Sequence, residues 1–285
     1  MSKRAYTPAT KADLLAIIEA GGSSPLVDAQ ADAARVASWA RDVGLPAPLA
    51  LLAAALAAAL PDLPIDRSFV RNLLFALPTD RPLDALAHRW VGWVWRDANP
   101  SIHSQISAAP LAAIAADIVR VHDRATTGAT FEPKSWRPLR TALDQASAVA
   151  LEEDADAVAV IGASAWDFRT IPGAAADVLK AWEHATYMAI RRADGGSDEQ
   201  DDRYRDLRRR IRNAAAERAG PVPDGADADA VARHARRFQE ALSQANAAST
   251  DPLLERMTDR THRIIAATVA LRDQGKTALV SLAAD

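Results

Sequence analysis

Apolar residues recur at spacings of three and four along nearly the whole chain, and clusters of proline and glycine interrupt the pattern. This period is typical of amphipathic α-helices, and Pro and Gly mark their ends. We therefore expect an all-α protein, a multi-helix bundle or an irregular helical array of about a dozen helices. The pattern predicts helices over residues 11–20, 25–43, 48–60, 68–77, 82–98, 111–124, 136–151, 154–167, 173–193, 201–219, 227–247 and 252–281.

Two segments depart from the amphipathic pattern. Residues 46–60 are apolar on every side, but they are fewer than the roughly 20 residues that a membrane-spanning helix needs. We expect this helix to be buried inside the protein. Residues 157–161 read Ala-Val-Ala-Val-Ile and resemble a strand. Because the sequence offers no partner strand, a helix is favoured there as well.

The best candidate for a domain boundary lies in the middle of the chain. Residues 126–135 are small and polar and contain Gly and Pro, which is typical of a linker. This predicts an N-terminal helical subdomain over residues 1–125 and a C-terminal one over residues 136–285, or one domain if the two pack together. The chain begins without an apolar signal segment, so we expect a cytoplasmic protein with no membrane contact.

The amino-acid composition excludes several kinds of functional site. The chain has no cysteine, which excludes disulfides, thiolate metal sites and cysteine nucleophiles. It has 66 Ala, and its basic residues are 29 Arg and 5 Lys. Alanine favours helix, and arginine forms forked hydrogen bonds. A GC-rich genome, and with it a bacterial source, explains both excesses; selection for an arginine-dependent function is the alternative.

One helix concentrates the aromatic residues. Residues 84–97 hold Trp90, Trp93 and Trp95, together with His88. The tryptophans fill space between alanine-rich helices, or, with His88, they line a pocket for a planar ligand such as haem. Both interpretations stay open at this stage, and the sequence identifies no cofactor.

A second candidate lies in residues 173–193. It contains Trp182, and His184, Tyr187 and Arg191 follow at helical spacing on one face with Lys180. This face either holds an anionic or planar ligand, with His184 as an axial haem ligand, or it is an ordinary solvated surface.

A third candidate is the charged block over residues 198–212. Its acidic residues come first and its arginines follow, as the helix dipole favours. The arginines form either a surface for phosphates or nucleic acid, or a solvated face paired with nearby carboxylates. The pI near 6.1 makes nucleic acid the less favoured partner. The arginines are Arg203, Arg205, Arg208, Arg209, Arg210 and Arg212.

Other catalytic patterns are missing from the sequence. No phosphate-binding loop, nucleophile elbow or dinucleotide fingerprint occurs, and the six histidines do not have metal-site spacing, so we expect no metal. Residues 164–173 form a polar and aromatic loop that either contributes to a site or only caps the adjoining helices.

Three functions remain. The first is an interaction protein, an adaptor, regulator or structural subunit, which binds another protein or a second copy of itself. Met257, Ile264 and Leu271 repeat every seven residues, as at a helix–helix seam. The second is a helical enzyme or sensor with a buried planar ligand. The third is nucleic-acid or phosphate binding through the arginine-rich helix.

Overall fold

A computed structural model describes residues 6–61, 63–127, 133–148, 150, 154–222, 225 and 227–285. Within these residues the chain forms twelve α-helices and no strand, which confirms the all-α prediction. The helices are α1 (Pro8–Glu19), α2 (Ala33–Val43), α3 (Ala47–Ala57), α4 (Arg67–Ala76), α5 (Leu86–Arg96), α6 (Ala109–Thr126), α7 (Arg137–Ser147), α8 (Ala155–Ser164), α9 (Ala174–Ala193), α10 (Asp198–Ala219), α11 (Ala228–Ala247) and α12 (Pro252–Ala284).

Local signals explain where several helices begin and end. The Asp66 side chain accepts a hydrogen bond from the Phe69 N–H at 2.9 Å and starts α4. Gly44, at a φ of 79°, ends α2 in the left-handed conformation that glycine adopts readily. Residues 157–161 lie in α8, so the helix favoured there is present.

Two predicted helices are too long at their N-terminal ends. The helix predicted over residues 25–43 is a short 3₁₀ turn, Pro25–Val27, followed by α2. The helix α2 starts late because Asp32 provides its own N-cap. The carboxylate of Asp32 accepts a hydrogen bond from the Arg35 N–H at 2.7 Å. The helix predicted over residues 82–98 begins only at Leu86, because a separate turn, closed by the Leu86 N–H and the Leu83 carbonyl, precedes it.

The chain divides into two compact units. Unit 1 comprises Met1–Met188 and Ala267–Asp285, and unit 2 comprises Ala189–Ala266. The division falls within α9 and α12. Residues 128–132 of the predicted linker lie outside the described residues, and α6 and α7, the helices before and after it, both belong to unit 1. A linker over residues 126–135 therefore stays a prediction.

The core of unit 1 is built around α3, α5 and the C-terminal part of α12. Seven of the eleven residues of α3 and eight of the eleven of α5 are buried, so the prediction of a buried α3 is confirmed. Gly275 of α12 allows a close approach: a Cβ there would lie 3.1 Å from the Leu56 side chain and 3.4 Å from the Trp90 ring. No helix among the described residues is both long and apolar enough to cross a membrane.

Unit 2 has a much smaller core. Leu207 and Ile211 of α10 pack with Leu254 of α12, and Tyr204, Leu242 and Ala245 lie at the edge of this cluster. The hairpin of α10 and α11 is held at one end by His234, whose Nε2–H donates to the Gly220 carbonyl at 2.8 Å. Near the other end, Arg208 donates to the Asn246 side chain at 3.1 Å.

Candidate functional site

A pair of buried histidines forms the most unusual polar contact in unit 1. His88 of α5 and His122 of α6 place their Nδ1 atoms 2.8 Å apart, and we call these two residues the histidine pair. His122 is fully buried and His88 is 9% exposed. The Nε2 atom of His122 lies 2.9 Å from the carbonyl oxygen of Ser164 at the end of α8. Three helices thus meet at one short chain of hydrogen bonds.

The Ser164 carbonyl decides which protons the histidine pair carries. Because a carbonyl only accepts, the Nε2 of His122 is protonated and donates to it. The Nδ1 of neutral His122 is then an acceptor, and the Nδ1–H of His88 donates to it. This leaves the Nε2 of His88 as an acceptor without a partner among the described residues.

Burial keeps both imidazoles neutral. Loss of hydration lowers the pKa of His88 to about 4, although the nearby Asp167 carboxylate opposes this change. Burial and the adjacent His88 lower the pKa of His122 to about 3. Chemically, the pair can accept a proton or a hydrogen bond at the Nε2 of His88, but it is a weak base near neutral pH.

Aromatic residues from the loop after α8 and from the turn before α7 contact the histidine pair. Phe168 stacks on His88 with ring centroids 4.5 Å apart, and Trp136 meets His122 edge-on at 5.2 Å. The carboxylate of Asp167 accepts hydrogen bonds from the backbone and guanidinium of Arg169. Burial opposes the effect of these bonds, which hold the pKa of Asp167 below its usual value. The loop therefore both caps local backbone and positions an aromatic wall.

The predicted tryptophans separate into two groups in unit 1. Trp90, Trp93 and Trp182 lie together, with ring centroids 6.4 Å apart for Trp90 and Trp93 and 5.9 Å apart for Trp93 and Trp182. Trp95 donates to the Ser164 hydroxyl at 3.2 Å, on the side of the histidine pair. Trp90, Trp95 and Trp182 are at most 1% exposed and pack within the core. Ligand binding by these tryptophans and His88 stays a prediction.

The predicted face on α9 consists of two parts with different surroundings. In unit 1, His184 and Tyr187 stack with centroids 5.9 Å apart, and His184 is exposed. In unit 2, Arg191 is bound to its own carboxylates, at 2.5 Å from Asp198 and 2.8 Å from Asp201. The guanidinium of Arg191 therefore has partners within unit 2.

A network of ion pairs surrounds Arg191. Arg260, whose side chain is 3% exposed, donates to Asp194 at 3.2 Å and to Asp201 at 3.3 Å, and Arg263 also pairs with Asp194. Gly196 lies against this network. A Cβ on Gly196 would lie 2.9 Å from the Arg191 carbonyl and 3.0 Å from Arg260.

The lack of space at Gly196 gives a direct test of the network. We expect Gly196→Ala to destabilise unit 2 by roughly 1–3 kcal/mol, the usual cost of overpacking. Gly173→Ala is the matched control, because a Cβ at Gly173 meets nothing within 4 Å. Hydrogen exchange of the α10 amides measures the effect. Equal protection of the α10 amides in the two variants would show that a Cβ at position 196 does not disturb the ion-pair network.

Half of the six arginines in the block on α10 have a side-chain partner within unit 2. Arg205 pairs with Asp202 and Arg209 pairs with Asp206, each with the carboxylate three residues before the arginine. Arg208 donates to Asn246. Among the described residues, Arg203, Arg210 and Arg212 have no such partner. The charge on α10 is therefore partly neutralised, and phosphate or nucleic-acid binding through this helix stays a prediction.

A second set of arginines lies on α11 and was missed from the sequence. Arg233, Arg236 and Arg237 are exposed, and their spacing of three and four residues places them on one side of the helix. We call these three residues the α11 arginine face. No ion pair or hydrogen bond to their side chains occurs within the described part of the chain. With Ala230 and Glu240 they line a surface concavity of about 450 Å³.

A sequence signal existed for His122 but not for the α11 arginine face. His122 follows Leu111, Ala115 and Ile118 on the buried side of α6, where a polar residue needs a partner. The arginines of α11 form a shorter cluster than the block on α10, and their lack of nearby partners is visible only in the fold. Within the described residues, no three or more His, Asp or Glu side chains group to hold a metal ion.

Comparison of this chain with protein-family models, with curated proteins and with solved structures finds no match.

Proposed function

We propose that this protein is an interaction protein that binds another protein through the α11 arginine face. The observation that carries this proposal is the exposure of α11. This helix has 20 residues, and a single side chain, Ala241, is buried. Its role would be that of a cytoplasmic adaptor, regulator or structural subunit.

The two sides of α11 differ in how they are packed. Most of the stability of helices in proteins comes from packing an amphipathic face against other elements. The partly buried side chains of α11, among them His234, Phe238 and Leu242, lie on its α10 side. The opposite side carries Arg233, Arg236 and Arg237, which have no partner among the residues that the structure describes. A partner that covers this side would add both packing and charge pairing.

Arginine is also a residue type that interfaces favour. Its planar guanidinium forms two parallel hydrogen bonds with a carboxylate, and arginine is enriched among residues that dominate binding energy. Unit 2 holds 15 of the 29 arginines of the chain and no lysine. This concentration supports a recognition role for unit 2 over a purely solubilising one.

Site-specific photo-crosslinking in cells of the source organism tests the proposal. A photoreactive amino acid in place of Arg236 should give an adduct with one other protein. The same substitution at Arg120 of α6, whose side chain is 71% exposed, is the control and should not give it. Charge reversal of Arg233 and Arg237 should weaken the Arg236 adduct.

Three outcomes would contradict a different protein as the partner. The first is the absence of any adduct at Arg236, and the second is the same adducts at Arg236 and Arg120. The third is an adduct of twice the mass of this chain, which would assign the surface to a second copy of the protein.

A further inference from the structure

We propose that the α11 arginine face recognises an acidic helical segment, whose carboxylates are bracketed by basic residues. This inference rests on the proposed function and adds the chemistry of the partner. It follows from the order of charges along one side of α11. Asp229 lies four residues before Arg233, and Glu240 lies three residues after Arg237. All five side chains are exposed.

The spacing of the arginines favours a helix as the partner. Side chains three and four residues apart on a helix have Cβ atoms roughly 5–6 Å from one another. Glu or Asp residues at the same spacing on a second helix match the positions of Arg233, Arg236 and Arg237. Ala230, which also lines the concavity, has too small a side chain to keep a second helix away.

The two carboxylates set the register of the partner. Asp229 and Glu240 repel an acidic residue placed opposite them and attract a basic one. A partner helix with basic residues about one turn outside its carboxylates satisfies every charge on this side of α11. A helix that is acidic throughout leaves two like-charge contacts, so the pair Asp229 and Glu240 acts against non-specific acidic partners.

The same two carboxylates disfavour nucleic acid. Binding to DNA or RNA depends on a continuous positive field that displaces counterions. On α11 the positive segment ends at a carboxylate on both sides. Unit 2 as a whole has 15 arginines and 14 acidic residues, so its charges nearly cancel.

Titration of the full-length protein with synthetic peptides tests this chemistry. The first peptide is an alanine-rich helix with three Glu at spacings of three and four, with a Lys one turn outside them on each side. The controls are a shuffled peptide of the same composition, a peptide with Gln for Glu, an all-Glu helix and a single-stranded oligo(dT). The Arg Nε–Hε resonances, followed by NMR at low ionic strength, report binding at individual arginines.

We expect the bracketed peptide to shift the resonances of Arg233, Arg236 and Arg237. Replacing all three by Gln should weaken binding by about tenfold, since exposed charge pairs contribute little each and three are lost together. The same change at Arg35, Arg71 and Arg120, exposed arginines of unit 1, should leave binding unchanged. Glu240→Lys should weaken the binding of the bracketed peptide and strengthen the binding of the all-Glu helix.

Equal binding of the bracketed and shuffled peptides would overturn the inference, because only unspecific charge attraction would remain. Tighter binding of oligo(dT) than of the bracketed peptide would overturn it in favour of nucleic acid. If the crosslink at Arg236 is found and no peptide binds selectively, the inference fails while the proposed function stands. If the crosslink is absent, the proposed function itself fails.

Discussion

Replacing Trp90 by alanine should destabilise unit 1 by about 3–5 kcal/mol, the usual cost of removing a fully buried aromatic side chain. Trp90 is 0% exposed, and its indole N–H donates to the Gly275 carbonyl at 3.0 Å. The ring also fills the space next to Gly275, where α12 approaches α5 closely. Urea unfolding followed by circular dichroism measures the change in the free energy of unfolding.

Trp93→Ala is the matched control for this variant. Trp93 lies on the same helix one turn from Trp90, but it is only partly buried. We expect the Trp93→Ala variant to lose at most about half as much free energy of unfolding as Trp90→Ala, because a partly exposed site leaves a smaller cavity. Equal losses for the two variants would show that Trp90 is not the residue that joins α5 to α12.

Acidification from pH 6.5 to pH 5 should destabilise unit 1 through the histidine pair. The folded protein keeps both imidazoles neutral, since their pKa values are about 4 for His88 and about 3 for His122. In the unfolded chain a histidine takes up a proton near pH 6.5. The unfolded state therefore binds more protons than the folded state below pH 6.5, and stability falls as the pH is lowered.

The expected size of the effect follows from proton linkage. Each histidine lowers the free energy of unfolding by about 1.4 kcal/mol per pH unit, or about 2 kcal/mol between pH 6.5 and pH 5. The loss continues until the pH reaches the folded pKa values near 4 and 3. The interval above pH 5 separates this effect from the titration of carboxylates, which have lower pKa values.

The slope of the free energy of unfolding against pH is compared between the protein and two control variants. Because all seven tryptophans lie in unit 1, tryptophan fluorescence during urea unfolding reports on this unit alone. Replacing both His88 and His122 by Phe should remove most of the pH dependence in this interval, whatever it does to stability at pH 7. His103→Gln, at an exposed position, should keep it. An unchanged slope in the double variant would refute the assignment.

Much of the fold is predictable because helix formation here depends on local signals. Pro and Gly lie near the observed ends of the predicted helices, and Asp66 caps α4 from its place just before an apolar period. The errors came from competing local signals. Asp32 offered a second N-cap inside the segment predicted as one helix over residues 25–43, and the sequence does not rank one cap against another.

The candidate sites were less predictable, because they depend on which helices become neighbours. His88 was recognised in an aromatic helix, but its partner His122 lies 34 residues away on another helix. The α10 arginines form the longest arginine cluster in the sequence, yet two of them, Arg205 and Arg209, are paired with carboxylates of the same helix. The arginines of α11 stand out only because the described part of the fold gives them no partner.

The helical period, most helix ends and the burial of α3 are predictable from the sequence alone, because alanine-rich segments with short-range caps specify helices locally. The remaining features depend on the tertiary structure. It placed the Ser164 carbonyl beside His122 and so fixed the tautomers of the histidine pair. It also left one side of α11 uncovered, since that exposure depends on long-range packing that no local sequence pattern records.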